Sequence, residues 1–378
     1  MKKRGNQNVS SRAMWCAVLT LALSASMAPQ AGAATITVDG TTCTLADAIT
    51  SANTDTETEG CLAGSGADII DLQTNVTLDA ALPRVTTEVT IAGNNHIISG
   101  NDTVRVLYND GGDLTIKDTT ISGGSADAGA GIRNHEGNLT LDNCTVSGNA
   151  ADDDGGGISN YSYYGSATVT VTDSTISGNV AADDGGGIFN YSYYGSATVT
   201  VTDSTISGNT AENDGGGIYN YTGDGTAPLT VTTSTISGNM AENDGGGIYN
   251  YTWDGTAPLT VTTSTISGNM AENDGGGIFS RTDYGDADLT LKGNLISGNT
   301  AANDGAELFN GSRQISLHGG YNLLGQNGID TAAAFSGIDL SPTDVRATSD
   351  SANPFALNAI LGPLAENGGA TMTHALLA

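Results

Sequence analysis

The chain has 378 residues, with 41 Asp and Glu against 12 Lys and Arg, and only 5% of its residues are aromatic. So acidic a chain excludes nucleic acid as a partner, because a polyanion is repelled at every approach. There are too few rings for a large globular core, while the 53 glycines speak for many tight turns.

Met1 to Ala33 reads as a secretory signal: Lys2, Lys3, Arg4 and Arg12 come first, then an apolar run, Met14 to Leu23, and then Ala31-Gly32-Ala33. Its loss takes four of the 12 basic residues and none of the 41 acids, so the mature charge is 8 − 41 = −33. The apolar run is too short to span a bilayer and no later stretch is longer, so no transmembrane segment is expected. In an exported chain Cys43 and Cys61 are expected to pair. Cys144 falls where later copies carry Ser174, Ser204 and Ser234, and is expected as a buried free thiol. Leu45 to Asn53 is the one good helix candidate, with Leu45, Ala48, Ile49 and Ala52 on one side. A stacked sheet needs a cover over its open edge, so this segment is assigned as an N-terminal cap.

Less regular coils follow, through Val89-Thr90-Ile91 and Leu114-Thr115-Ile116, and then a shorter turn over residues 126–150. From Gly155 the sequence is periodic. Gly155-Gly156-Gly157-Ile158 recurs at Gly185, Gly215, Gly245 and Gly275, and Ser-Gly-Asn recurs from Asn149 to Asn299, always 30 residues on. A fixed period of this size means stacked units, each unable to bury its apolar face alone. Val169, Val171 and Ile176 share an inward side only if the chain is extended. The expected fold class is therefore all-β, a single-stranded right-handed parallel β-helix (solenoid) of mostly 30-residue coils with a short N-terminal helical cap. Strands are expected near Gly157 to Asn160, Thr168 to Asp173 and Thr175 to Ser177. A propeller blade is the alternative, but its units are longer and carry four strands.

Thr42-Cys43-Thr44-Leu45-Ala46-Asp47-Ala48-Ile49, with Ala52-Asn53 and then Cys61 to Ile70, resembles the CSLREA domain that begins many secreted bacterial β-helix proteins. Both cysteines match it, and Ala46-Asp47 stands where that family has Arg-Glu. The Gly-Gly-Gly-Ile, aromatic-Asn and Ser-Gly-Asn signatures are similar to the repeats of polymorphic outer-membrane proteins. Gly320 to Gly325, Leu361 to Gly369 and Thr373 to Leu377 resemble the choice-of-anchor Q segment. Together these resemblances imply a bacterial secreted or cell-surface protein. They divide it into a signal peptide (1–33), a cap (34–66), a β-helix (67–315) and a C-terminal segment (316–378).

Stacking turns each repeat position into a column. Asn149 to Asn299, and Asn160, Asn190, Asn220 and Asn250, are expected to form amide ladders. Asp154, Asp184, Asp214, Asp244, Asp274 and Asp304 form a column of like charge. It would be relieved either by the amides of the glycines two residues ahead or by calcium, with Asp184, Asp214 and Asp244 as ligands. Phe189, Tyr219, Tyr249, Phe279 and Phe309 make one aromatic file, and Tyr161, Tyr191, Tyr221 and Tyr251 a second. Left exposed, Tyr191, Tyr221, Tyr251 and Trp253 suit stacking on sugars; alternatively the loop Tyr163 to Ser166 and its copies fold back over them. Thr170, Thr200, Thr230 and Thr260, paired with Thr172, Thr202, Thr232 and Thr262, form an outward grid of the kind an ice-binding face needs.

Between Arg133 and Arg281 there is no Lys or Arg. A polysaccharide lyase, which needs a base beside the uronate and cations to hold its carboxylate, is therefore not expected in the central coils. Hydrolysis needs two carboxylates about 5 to 10 Å apart, and adjacent coils offer many pairs. Yet a catalytic site is expected as a departure from repetition, and the departures, Arg133 with His135 and Glu136, and Arg281 with Asp283 and Asp286, read as isolated. The expected function is a non-enzymatic exported β-helix for adhesion or for binding a polysaccharide or cell-surface component. The alternatives are a glycan hydrolase and an ice binder. No cofactor is required, with calcium left open.

Overall fold

The computed structural model describes residues 32–312, 317–326, 328–352, 354, 361–365, 371 and 373–376. Residues 1–31 of the expected signal, and 366–369 of the C-terminal resemblance, lie outside the described residues.

One coil explains the rest. Ile188–Ser192, Ser196–Thr202, Thr205–Ser207 and Thr210–Ala211 are successive strands. Each pairs in parallel with its copy in the next coil, Ile188 opposite Ile218, Val199 opposite Leu229, Ile206 opposite Ile236 and Ala211 opposite Ala241. Among the described residues this yields parallel sheets of eleven, eleven, nine and seven strands. Three strands per coil fall near their expected places. The fourth, of two residues, is too short to show a period.

Inward side chains make a narrow dry column in which Ile188, Val199, Val201, Ile206 and their copies are fully buried. Each such side chain is worth about 1.5–3 kcal/mol. Two glycines explain why the motif is so glycine-rich. Gly185 turns the corner at φ 71°, and a Cβ there would meet the Phe189 backbone at 2.8 Å. Gly187 has an ordinary φ, but a Cβ would lie 2.5 Å from the Gly217 carbonyl oxygen of the next coil. The coils are too close for a side chain there.

Both expected amide ladders form. The backbone N–H and Nδ2 of Asn149 donate to Asn179 Oδ1 at 3.1 and 2.9 Å, and the same pair of bonds repeats up to Asn299. The second ladder starts earlier than expected, running from Asn109 through Asn134 to Asn160 and beyond. A third runs from Ser174 through Ser204, Ser234, Ser264, Asn294 and Asn322. Two of the three end on a carboxylate. Glu307, which replaces the close-packed glycine, accepts from Asn299 Nδ2 at 2.6 Å and from the Gly298 and Asn299 amides at 2.9 and 3.3 Å. Asp344 accepts from the N–H and Nδ2 of Asn322 at 3.0 and 2.9 Å. Each link uses its acceptor on the coil before and its donors on the coil after, so the last link needs a group that only accepts.

At the start, strand Thr35–Val38 pairs with Asp68–Leu72 and joins the solenoid. Helix Leu45–Thr54 closes the open end, with Thr44 as N-cap accepting from the Asp47 N–H at 3.2 Å. Leu45, Ala48, Ile49 and Ala52 are buried against the first coils, and Cys43 and Cys61 form a disulfide with their Cα atoms 4.8 Å apart. Cys144 is free and buried, which pushes its thiol up to about 11.

At the other end the sheets run beyond residue 315. Leu317–Gly320, Leu323–Leu324, Phe335–Ser336 and Val345–Arg346 extend three of them. The outward motifs are lost there, but Leu324, Phe335 and Ala347 still face the column. The strands Leu361–Ala365 and Thr373–Leu376 pair antiparallel and return along the solenoid. His374 Nε2 lies 3.2 Å from Ser267 Oγ, and Thr371 Oγ1 donates to the Asp203 carbonyl at 3.5 Å. Ser207, Ser237 and Ser267 are buried in this stretch, whereas Ser147 and Ser177, earlier in the same column, are half-buried.

Candidate functional site

The strand Ile188–Ser192 turns Ile188 and Asn190 inward and Phe189 and Tyr191 outward. Exact register then builds two ring files along the axis. In the first, Phe189, Tyr219, Tyr249, Phe279 and Phe309 stack at 4.8 to 5.1 Å, and its first four rings are buried. The second file is half-buried and packs against the first, with Tyr161, Tyr191, Tyr221 and Tyr251 at 5.4, 5.1 and 5.2 Å.

The expected cover is corrected. The loop Tyr163 to Ser166 and its copy keep Tyr164 and Tyr194 exposed. The Asp-Gly turns close the first file instead: a Cβ at Gly245 would lie 2.7 Å from Tyr249 Cβ. Burial holds the Tyr191 and Tyr251 hydroxyls up at about 12, so both stay neutral donors. Tyr251 donates to Asp283 Oδ2 at 3.0 Å, and Arg281 pairs with the same carboxylate at 2.9 Å.

Stacking also decides what each ring offers. Tyr191 lies between Tyr161 and Tyr221, and Tyr221 between Tyr191 and Tyr251, so both present an edge and a hydroxyl rather than a face. Free faces occur only where the ladder of copies breaks. Tyr164 and Tyr194 stack together at 5.4 Å, but the copies on either side of this pair are missing, Asp224 standing next after Tyr194. Trp253 meets Tyr284 edge-on at 5.6 Å and follows Gly223. These four rings are exposed, from 46% for Tyr194 to 72% for Tyr164; Tyr163, at 38%, and Tyr321, beyond the repeats, are exposed as well. Of the sequence-predicted binding residues, only Trp253 offers a stacking face. Tyr164, Tyr194 and Tyr284 join it, and their signal was the interruption of the aromatic column.

Glu136, read from the sequence as isolated, founds this loop. Its Oε1 accepts from the amides of Tyr163, Tyr164 and Gly165 at 3.2, 3.1 and 2.9 Å, and these bonds hold its carboxyl below the usual range. In the next coil the carbonyls of Ser162 and Tyr163 do that work for Tyr193 and Tyr194.

The aspartate column is relieved by amides, but not those of the glycines two residues ahead. Asp184 Oδ1 accepts from the Asp214 N–H at 3.0 Å, Asp214 from Asp244 at 2.9 Å and Asp244 from Asp274 at 3.0 Å. Each coil places its own backbone over the carboxylate below. These bonds do not offset desolvation, even at Asp184, which also accepts from Asn213 Nδ2 at 2.9 Å. Burial, then the neighbouring Asp153 charge, pushes Asp154 up to about 7, and burial pushes Asp184 to about 8 and Asp214 to about 6. The carboxylates gathered closely enough to share an ion are Asp153, Asp154 and Asp183, with oxygens within 4.8 Å of one another; Asp184, Asp214 and Asp244 make no such group among the described residues.

The threonine grid is in register, Thr170 opposite Thr200, Thr230 opposite Thr260 and Thr232 opposite Thr262. It is half-buried, and Lys117 bound to Asp142 at 2.9 Å breaks it in the earlier coils.

Residues 84–261 match the family model of the right handed beta helix region. The chain is a right-handed parallel β-helix. Residues 263–281 of this β-helix match the repeat of the Chlamydia polymorphic membrane protein. No curated protein and no solved structure matches it significantly. Among the described residues no helix of the β-helix is long and apolar enough to cross a membrane.

Proposed function

We propose that this is a bacterial surface or secreted β-helix, not an enzyme, that binds carbohydrate along its aromatic side. The observation that carries the reading is the set of free ring faces on Tyr164, Tyr194, Trp253 and Tyr284, beside the hydroxyl row of Tyr161, Tyr191, Tyr221 and Tyr251. Flat rings suit the apolar face of a sugar, and a row of phenol hydroxyls suits its hydroxyls. The repeat matched at residues 263–281 is that of a Chlamydia membrane protein family, which supports placement at a cell surface. A glycan array probed with the mature protein tests this. Binding is expected to fall at least tenfold in Trp253→Ala and Tyr194→Ala with melting unchanged; binding untouched by both discards the reading.

A glycan-cleaving reading draws on one observation, that Asp154 is held up near 7 with Asp153 and Asp183 within 4.8 Å. A protonated acid beside a carboxylate is what hydrolysis uses. Release of reducing sugar that disappears in Asp154→Asn would favour it.

A further inference from the structure

Basic residues are scarce here and unevenly placed. Beyond the expected leader, which holds four of the 12, eight Lys and Arg remain, yet three of the eight meet over one ring. The guanidinium carbons of Arg84, Arg105 and Arg133 lie 4.5, 5.3 and 5.6 Å from the centre of Tyr108. Arg133 also lies 6.0 Å from Tyr161, the first ring of the hydroxyl row, so the cluster and the row are continuous.

Charge bookkeeping singles out two of the three. Arg84 pairs with Asp110 at 2.8 Å, and the same carboxylate takes His135 at 2.8 Å. Arg105 donates only to backbone carbonyls, those of Ala128 at 2.8 Å and Gly129 at 3.1 Å. Neither Arg105 nor Arg133 has an ion-pair partner among the described residues, and Arg133 Nε is buried without any hydrogen-bond partner. Burial, then the Arg133 charge beside it, makes Arg105 easier to deprotonate than an ordinary arginine. Beside Arg105 opens a recess of about 220 Å³, lined also by Arg84, Tyr108 and Leu82, with Arg133 across the Tyr108 ring from it rather than in its wall. In a chain with 41 acids, two adjacent guanidiniums with no carboxylate at ion-pair distance, Asp127 and Asp154 acting on them only from farther off, leave room for an oxoanion from outside. The planar donor fork fits a carboxylate or sulfate through two parallel bonds.

We propose that Arg105 and Arg133 bind the anionic group of an acidic glycan, a uronate carboxylate or a sulfate ester, while its neighbouring sugars lie along the Tyr161 to Tyr251 row. This rests on the glycan-binding reading above and narrows it to charged chains. It also explains the placement of the arginines. They stand at the end of the row, where a free terminal acid or the first charged sugar of a chain would be anchored.

Titration calorimetry on the mature protein tests the proposal with three probes: a uronic-acid oligosaccharide, the same oligosaccharide with its carboxyls reduced to alcohols, and inorganic sulfate. The acidic oligosaccharide is expected to bind at least tenfold more tightly than the reduced one, and Arg133→Gln or Arg105→Gln to erase that difference. Arg133→Lys keeps the charge and loses the fork, and is expected to weaken the acidic probe while sparing the neutral one. That variant decides the matter if the Gln variants melt early. Equal binding of both oligosaccharides overturns the anionic assignment and leaves the glycan reading standing. Binding of sulfate alone, lost in Arg133→Gln, overturns it in favour of a free-anion site. Binding of none of the three overturns it together with the glycan reading.

Discussion

The middle coils and the two ends of this solenoid solve the same problem by different means. Between Asn149 and Asn299 most positions outside the Tyr163 to Ser166 loop have their own copy above and below, so a side chain there that can bond or stack with itself is satisfied by repetition alone. At the ends there is no copy. There the chain uses a helix stapled by Cys43–Cys61, and Glu307 and Asp344, which accept the last amides; inside the solenoid, Glu136 likewise stands in for missing carbonyls where the first long loop begins. Repetition supplies geometry cheaply, but it carries an unmet donor or acceptor along to its last member.

Breaking the middle is expected to have the largest effect. Ile218→Asp places an unpaired carboxylate in the fully buried column between Ile188 and Ile248. A loss above about 4 kcal/mol, or no folded protein at all, is expected in urea unfolding. Breaking an end comes next. Glu307→Ala strands the Asn299 amide and two backbone N–H groups, at a cost of about 2–3 kcal/mol. The same change at Glu57, an exposed acid bonded to no ladder, is expected to be silent.

Buried carboxylates in both regions make stability depend on pH. Asp154, Asp184, Asp214 and Glu307 are held at about 7, 8, 6 and 7, all above the ordinary carboxylate range. Below pH ~4 these groups are protonated whether the chain is folded or not, and their contribution is fully present. As the pH rises the unfolded chain releases its protons first, so stability is lost up to about pH 8. Asp110 and Glu136 are shifted downward, and their contribution disappears as the pH falls through the acid range. Melting is therefore expected to be highest near pH ~4–5 and to drop by roughly 5–10 °C toward pH 8. Asp184→Asn should flatten that slope. For calcium at Asp153, Asp154 and Asp183, the expected signature is a melting temperature raised by the ion above pH ~8, where Asp154 is ionised, and indifferent to it at pH ~5. Thr202→Ser, on the outward face, is expected to stay within about 0.5 kcal/mol of the parent.

What was legible in the sequence follows the same division. Where residues repeat, alternation and spacing were enough: Val169 and Val171 inward, Thr170 outward, the amide ladders, the helix at Leu45. Where repetition fails, spacing said little. Asn109 and Asn134 belong to the second ladder, but their coils are 25 and 26 residues long and fall out of phase with the rest. Arg84, Arg105 and Arg133 are likewise 21 and 28 residues apart, so nothing in the linear order announces that they meet on Tyr108. Glu307 left a trace, as Gly305-Ala306-Glu307-Leu308 breaks the Gly-Gly-Gly-Ile motif, yet only the coordinates show what the acid does. The ring files were foreseen as files. That stacking hides most of their faces follows from ring orientation, which composition does not carry.

The identical links of the asparagine ladder have an evolutionary consequence. Unequal crossing-over between such similar repeats would add or delete a whole coil, and the new neighbours would still find the partners they need. Each duplication would lengthen the rod by about 4.8 Å without disturbing either terminus. Natural variants of this gene are thus expected to differ in reach, as a ruler with interchangeable segments does, before they differ in chemistry.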